Sequence, residues 1–309
     1  VVQKLTAARV QTVLDYAAEA QETEAGFDQV RDEILRNIKL AQDFSYISLK
    51  LSGIGHNKIY EKLHRRRELT QEEQSAYSRT KERLDQICQA AREANVTVYI
   101  DAEESWLQNP VDELAEEMMH RYNQDRAVVF NTLQMYRHDR IAYLTACLQR
   151  FEGKRVTLGI KLVRGAYLEK EQQRAEAHCY PCPVFSRKED TDNSFNQAID
   201  ICLEHLHRVE LCAATHNEKS VRYLTERIQQ EGIKDHRQRI YFSQLYGMSD
   251  NLTFNLADAG YNASKYVPYG DVATAMPYLI RRAEENTSIA GQMSRELLLL
   301  QQEMQRRQL

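Results

Sequence analysis

Eight short β-rich runs alternate with long amphipathic stretches along the chain, and this alternation limits the possible folds more than any other feature. The runs are Val10–Tyr16, Tyr46–Leu51, Thr97–Asp101, Ala127–Gln134, Thr157–Leu162, Glu210–Ala214, Arg239–Ser243 and Ser264–Val267. Helical patterns fill 27–43, 70–94, 110–123, 138–151, 191–208, 217–231, 250–258 and 271–287. A strand followed by a helix, repeated in this way, predicts a parallel α/β fold, and the simplest closed form is a (β/α)8 barrel of the TIM type. Such barrels commonly hold about 250 residues or more in one domain. No linker or internal repeat divides the sequence, so a single domain over 1–309 is expected. A doubly wound sheet would announce a glycine-rich first turn, but after Gly53–Ile54–Gly55 the third glycine position holds Lys58.

Local signals agree with the order of elements. Thr70–Gln71–Glu72–Glu73 reads as a capping box, Gly232 as a left-handed helix stop, and Pro110 after Asn109 as a first helical residue. The stretch 168–190, with Pro181 and Pro183, predicts a long irregular loop. Within it, Cys179–Tyr180–Pro181–Cys182 follows His178. One such pair supplies too few ligands for a tetrahedral metal, so two thiols in a loop is the plainer reading and no metal is expected. The six cysteines are too sparse for a disulfide scaffold.

Charge narrows the function classes. Lys and Arg total 41 against 45 Asp and Glu, for a formal charge of −4, which gives nucleic-acid binding no support as the main task. The basic window 64–67 fits a solvated helix face. No apolar run approaches the roughly 18 residues needed to cross a bilayer, and no secretory signal is visible at the start. Sequons such as Asn262–Ala263–Ser264 therefore read as chance.

In a parallel barrel, chemistry sits at the C-terminal ends of the strands. There this sequence places Lys50; Asp101, with Glu103 and Glu104 after it; Gln134 and Tyr136; Lys161, then Arg164–Gly165–Ala166–Tyr167; Thr215–His216–Asn217; Gln244 and Leu245; and Tyr266. A buried lysine costs several kcal/mol unless paired, so Lys50 and Lys161, flanked by apolar residues, point to function. Lys50 and Asp101 are placed to pair across neighbouring strands. His216 taken alone fits a satisfied core histidine equally well. In the last helical pattern, Tyr278, Arg281, Arg282 and Glu285 share one face. Paired guanidinium forks suit a carboxylate, although spacing alone favours an exposed charged face. Asp101, Glu103 and Glu104 would suit glycoside hydrolysis, but Trp106, the one tryptophan, offers no sugar platform. The residues by themselves lead to a barrel enzyme for a small carboxylate.

Longer motifs lead further. Lys161–Leu162–Val163–Arg164–Gly165–Ala166–Tyr167, Thr215–His216–Asn217, Gln244–Leu245–Tyr246–Gly247–Met248, Tyr266–Val267–Pro268–Tyr269–Gly270 and the run from Tyr278 through Arg281 and Arg282 to Asn286 resemble the proline dehydrogenase family, in chain order and over roughly residue 10 to the end. The resemblance implies a monofunctional flavoenzyme of proline catabolism. It would oxidise L-proline to Δ1-pyrroline-5-carboxylate by hydride transfer from C5 to N5 of FAD and pass the electrons to a membrane quinone.

The resemblance also assigns residues. Asp101, Lys161 and Lys50 would be catalytic. Arg281 and Arg282 would hold the proline carboxylate beside Lys50, and Leu245, Tyr266 and Tyr278 would wall the ring. Gln134, Lys161, Arg164, Gly165, Ala166, Tyr167, Thr215, His216, Asn217, Gln244 and Glu285 would hold FAD. For Arg281 to reach substrate, the last helix must lie across the barrel top. Branches acting on hydroxyproline, the alternative substrate, tend to carry a smaller residue at position 266, so Tyr266 favours proline. No aldehyde dehydrogenase or ribbon-helix-helix segment is present, which implies neither channelling in one chain nor DNA binding. The expected setting is the cytoplasm or the cytoplasmic face of a bacterial inner membrane, with the mitochondrial inner membrane as the alternative. The amphipathic stretch 295–307 fits packing on the body better than membrane contact.

Overall fold

The computed structural model describes residues 1–16, 21–39, 46–234, 236–270, 276, 280 and 301–307. Eight parallel strands close a barrel in chain order. They are β1 (Gln11–Tyr16), β2 (Tyr46–Leu49), β3 (Thr97–Ile100), β4 (Val129–Gln134), β5 (Leu158–Val163), β6 (Val209–Ala214), β7 (Ile240–Leu245) and β8 (Asn262–Tyr269). Closure between β1 and β8 pairs Val13 with Tyr266 and Asp15 with Pro268. The predicted strands each meet one of these, with ends that differ by at most two residues.

The helices are α1 (Val2–Ala7), α2 (Glu24–Lys39), α3 (Asn57–His64), α4 (Gln71–Glu93), α5 (Ser105–Tyr122), α6 (Arg140–Arg150), α7 (Leu168–Ala177), α8 (Lys188–Glu204), α9 (Glu218–Gln230), α10 (His236–Arg239) and α11 (Asp250–Asp258). The capping box at Thr70 forms as read, with Glu73 Oε2 accepting from the Thr70 N–H at 2.9 Å. Gly232 takes the left-handed conformation at φ +63°.

Two local expectations are corrected. Residues 168–177 form α7, not a loop, because buried Ala175 and Glu171 give the segment an inward face. The Glu171 carboxylate accepts from the Ser105 N–H and hydroxyl, both at 2.6 Å, and so caps the start of α5. Pro110 lies inside α5, which begins at Ser105, where it removes one backbone donor. The last helical pattern, 271–287, lies almost wholly outside the described residues. So do the expectation that it crosses the barrel top and most of the amphipathic stretch before 301.

Strand residues alternate between two layers. Val13, Tyr46, Tyr99, Phe130, Cys212 and Tyr266 pack together inside the barrel, and a larger apolar shell joins the outer strand faces to the helices. The period of two puts Asp15, Ser48, Asp101, Thr132, Gln134 and Lys161 on the inner face as well, toward the C-terminal ends. Beneath them, Tyr99 stacks on Tyr46 at 5.5 Å and meets the Phe130 ring edge-on at 5.2 Å. This aromatic floor closes the barrel below the polar mouth.

Gly159 admits the Phe130 ring. A Cβ there would fall 2.4 Å from the Val129 carbonyl oxygen and 2.7 Å from Phe130 Cγ. Gly159→Ala should therefore destabilise the fold by about 1–3 kcal/mol, the usual cost of overpacking. Urea unfolding measures this, and an unchanged midpoint would contradict it.

Candidate active site

Asp101, just past the end of β3, is the hub of the mouth. Its Oδ1 accepts from Lys161 Nζ at 2.6 Å and from the Tyr266 hydroxyl at 3.0 Å. Lys50 Nζ stands 3.9 Å from Oδ2. Lys161 also donates to the Tyr266 oxygen and lies over the Tyr266 and Tyr99 rings, at 4.4 and 5.2 Å from their centroids. Burial pushes the Asp101 carboxyl up, but the two lysines and the hydrogen bonds outweigh it and hold the group below the usual carboxylate range. Lys161 is thus a buried cation with a partner in place, which meets the cost the sequence raised.

A second carboxylate, Asp15 on β1, accepts from the Ser48 hydroxyl at 2.7 Å. Burial raises its pKa, Lys50 opposes this, and Asp101 adds to it. Glu103 follows Asp101 by two residues and is buried, and burial pushes its carboxyl up to about 7. It accepts from the Ser52 N–H at 2.9 Å. Its carbonyl oxygen accepts from Gln134 Nε2 at 2.7 Å, and Gln134 Oε1 accepts from the Ala166 N–H at 3.3 Å. Gln134 therefore ties the turn after β3 to the turn after β5. In that second turn Gly165 has φ +142°, and a Cβ would fall 2.4 Å from the Tyr136 ring, so glycine is required. Tyr167 is buried at the start of α7.

Arg164 donates to Asp192 at 2.7 Å, to the Ser220 hydroxyl at 2.9 Å and to the Thr215 hydroxyl, and it stacks on Phe195. Asn217 accepts from the N–H groups of Lys219 and Ser220 and so caps α9. His216 Nε2 accepts from the Leu245 N–H at 3.3 Å, which leaves the proton on Nδ1 for the Ser249 hydroxyl at 3.0 Å. Gln244 is engaged at both ends, donating to the Thr215 carbonyl and accepting from the Thr253 hydroxyl. Leu245 sits opposite Tyr266 in the β7–β8 register.

Lys50, Asp101, Gln134, Lys161, Leu245 and Tyr266 are thus brought to one end of one barrel. Arg164, Gly165, Ala166, Thr215 and His216 lie on the turns beside them. Tyr278, Arg281, Arg282 and Glu285 lie outside the described residues. Among the described residues, no cluster of histidine, cysteine and carboxylate side chains is arranged to hold a metal. A groove of about 660 Å³, lined by Thr145, His205, His207 and Arg208 among others, opens at the opposite end of the barrel, away from Asp101.

Sequence reasoning passed over Asp15, Ser48 and Lys265. The first two carry the signal used for every other strand, a polar residue on the inner face near a C-terminal end. Lys265 is buried on the outer face of β8 and donates to the carbonyls of Leu245 and Met248 and to Asp250, holding the turn after β7.

This geometry, a closed parallel barrel with cations and carboxylates converging at the strand C-termini, is that of a barrel enzyme. Residues 1–295 match the family described as proline dehydrogenase. The carbapenem antibiotics biosynthesis protein CarD of Pectobacterium carotovorum subsp. carotovorum is 36% identical over 299 residues, covering 96% of this chain and 77% of that protein. Mitochondrial proline dehydrogenase 1 of Drosophila melanogaster is 37% identical over 235 residues, 73% of this chain and 34% of the relative. The Homo sapiens protein of that name is 36% identical over 241 residues, 77% of this chain and 40% of the relative. The chain therefore spans less than half the length of these two mitochondrial relatives. Proline utilization A from Bdellovibrio bacteriovorus, solved after inactivation by N-propargylglycine, superposes with a TM-score of 0.82 at 20% identity, over 93% of this chain and 31% of that one. The chain belongs to the proline dehydrogenase family of enzymes.

The raised Glu103 carboxyl has a stability consequence. The folded state keeps its proton up to about pH 7, whereas the unfolded state releases it near 4.5, so stability falls as pH rises between these values. Glu103→Gln keeps the acceptor for Ser52 and removes the titration. It should match the wild type at pH 4 and exceed it by about 3 kcal/mol at pH 8 in urea unfolding. An equal difference at both pH values would contradict the assignment.

Proposed function

We propose that this chain oxidises L-proline to Δ1-pyrroline-5-carboxylate with bound FAD, and that the electrons pass on to a membrane quinone. The observation that carries the reading is the Lys161–Asp101–Tyr266 network at the barrel mouth.

The donor set there fits a flavin. Thr132 Oγ1, Tyr136 Oη and Ser243 Oγ are buried without a hydrogen-bond partner among the described residues. Together with Gln134 and Lys161 they supply donors of the kind an isoalloxazine edge takes. Arg164, with Gly165, Ala166, Tyr167, Thr215, His216, Asn217 and Gln244, would hold or shape the site for the rest of the cofactor, joined by Glu285. Bound there, FAD would supply the two-electron acceptor for the hydride that leaves proline C5. Lys161, anchored by Asp101, would present to the bound cofactor a fixed cation able to stabilise negative charge without reorganisation. Arg281 and Arg282, with Lys50, would orient the substrate carboxylate, a proximity effect, while Leu245, Tyr266 and Tyr278 enclose its ring.

The anchored Tyr266 phenol occupies space that a ring hydroxyl would need, which favours proline over trans-4-hydroxy-L-proline. We assign 1–309 to one barrel domain. None of the described helices is long and apolar enough to cross a membrane. Peripheral contact with a bacterial inner membrane, or with the mitochondrial inner membrane that the mitochondrial relatives suggest, belongs to this same reading. A catabolic destination for the product follows the relatives named proline dehydrogenase rather than the one named for antibiotic biosynthesis.

The test is the visible spectrum of the purified protein before and after anaerobic addition of each substrate. A yellow protein bleached faster by proline than by hydroxyproline is expected. A colourless protein that takes up no FAD would overturn the reading, and faster bleaching by hydroxyproline would overturn the role of Tyr266. In the same assay Tyr266→Ser should lose rate with proline by at least about tenfold and raise the hydroxyproline-to-proline ratio.

A further inference from the structure

Proline arrives as an ammonium, and its nitrogen must shed a proton before its lone pair can form the C=N bond. Neither lysine at the mouth is placed as a base, because Lys161 is bound to Asp101 and Tyr266 and Lys50 faces Asp101 as a cation. Asp101 is a poor acceptor, since Oδ1 already takes two hydrogen bonds and Lys50 stands against Oδ2. Asp15 differs. It lies on the inner face at the C-terminal end of β1, between Ser48 of β2 and Pro268 of β8 in register, and only 2% of its surface is exposed. Its described hydrogen bond, from the Ser48 hydroxyl, reaches Oδ1.

We propose that Asp15 takes the proton from the substrate nitrogen, which makes it a further catalytic residue. The inference rests on the proline-oxidation reading. The N–H bond breaks and an O–H bond forms on Asp15. The freed lone pair becomes the second bond of C=N as the C5–H bond breaks and its electron pair leaves with the hydride to the acceptor named above. Charge is conserved at the first step, because an ammonium and a carboxylate become an amine and a carboxylic acid.

The electrostatics suit the division of labour. Two carboxylates share one mouth, and their surroundings drive them apart. Asp101 is held ionised by its cations, and burial with the neighbouring Asp101 charge favours a proton on Asp15. Such a separation marks acid–base partners in enzyme sites. Among the described residues, the titratable groups acting on Asp15 are Lys50, Asp101, Lys161 and the Tyr266 and Tyr269 phenols. The phenols are raised well above their usual range and stay protonated. Glu103 also has a raised carboxyl, but it lies in the turn after β3 and accepts from the Ser52 N–H, whereas Asp15 stands on the inner face at the end of β1.

The test is the rate of anaerobic flavin bleaching at saturating L-proline, followed by stopped flow across pH for the wild type, Asp15→Asn and Ser48→Ala. Asn keeps an acceptor for Ser48, and a retained flavin spectrum reports the fold. The wild-type limiting rate should fall at low pH and reach a plateau. Asp15→Asn should be slower by about 10²-fold or more near neutrality, with the rate climbing about tenfold per pH unit as free amine becomes available. Ser48→Ala, which removes a bond favouring the charged carboxylate, should keep the plateau and move the low-pH limb upward. An Asp15→Asn protein with the wild-type pH profile and a rate within about threefold would overturn the proposal, whatever the result for Ser48→Ala. So would an effect confined to KM. Wild type that proline bleaches at no pH would overturn this inference together with the reading beneath it.

Discussion

A lysine inside a barrel is tolerable only when an anion meets it, and the contact of Lys161 with Asp101 is the condition on which the rest of the mouth depends. Neither group would stay charged alone at that depth. Together they fix the Tyr266 phenol, which bonds both, and they give Lys50 an acidic neighbour. The aromatic floor below, from Tyr46 through Tyr99 to Phe130, excludes water from one side. The polar layer is therefore strong electrostatically and fixed in geometry, the two properties that charge stabilisation in catalysis requires.

The loops are tied to this layer largely by side chains that bond backbone groups. Gln134 joins the turns after β3 and β5 through Glu103 and Ala166. His216 joins the turns after β6 and β7 through Leu245 and Ser249. Lys265 holds the latter turn from behind. Each tie uses a side chain on a strand or within two residues of its end, so barrel closure itself sets the positions of groups that come from distant parts of the sequence.

Much of this was legible in the sequence. Alternation of strand and helix patterns gave all eight strands, because a barrel strand buried on both faces reads as a short apolar run. Polar residues in those runs stood out against that background, which is why Lys50, Asp101 and Lys161 were visible. The partner choice was not. Neighbouring strands suggested Lys50 for Asp101, whereas the shorter contact comes from Lys161 two strands away, and only the curvature of the barrel brings that residue across the lumen. Helix α7 was missed because prolines 181 and 183 coloured the whole segment. Its inward residue, Glu171, is polar and reads as a surface residue, yet it is buried and caps α5. Asp15 carried the same signal as Asp101 but opened the chain, before the pattern was established.

A crystal structure with FAD and cyclopentanecarboxylate, a ring carboxylate that has no nitrogen to oxidise, tests the central claim most directly. The account expects the flavin ring over the barrel mouth with Lys161 Nζ within hydrogen-bonding distance of it. The cyclopentane ring should be packed between the flavin and Tyr266, and Asp101 should still be bound to Lys161. A flavin seated elsewhere, or Lys161 turned away from it with the ring carboxylate outside the mouth, would contradict it.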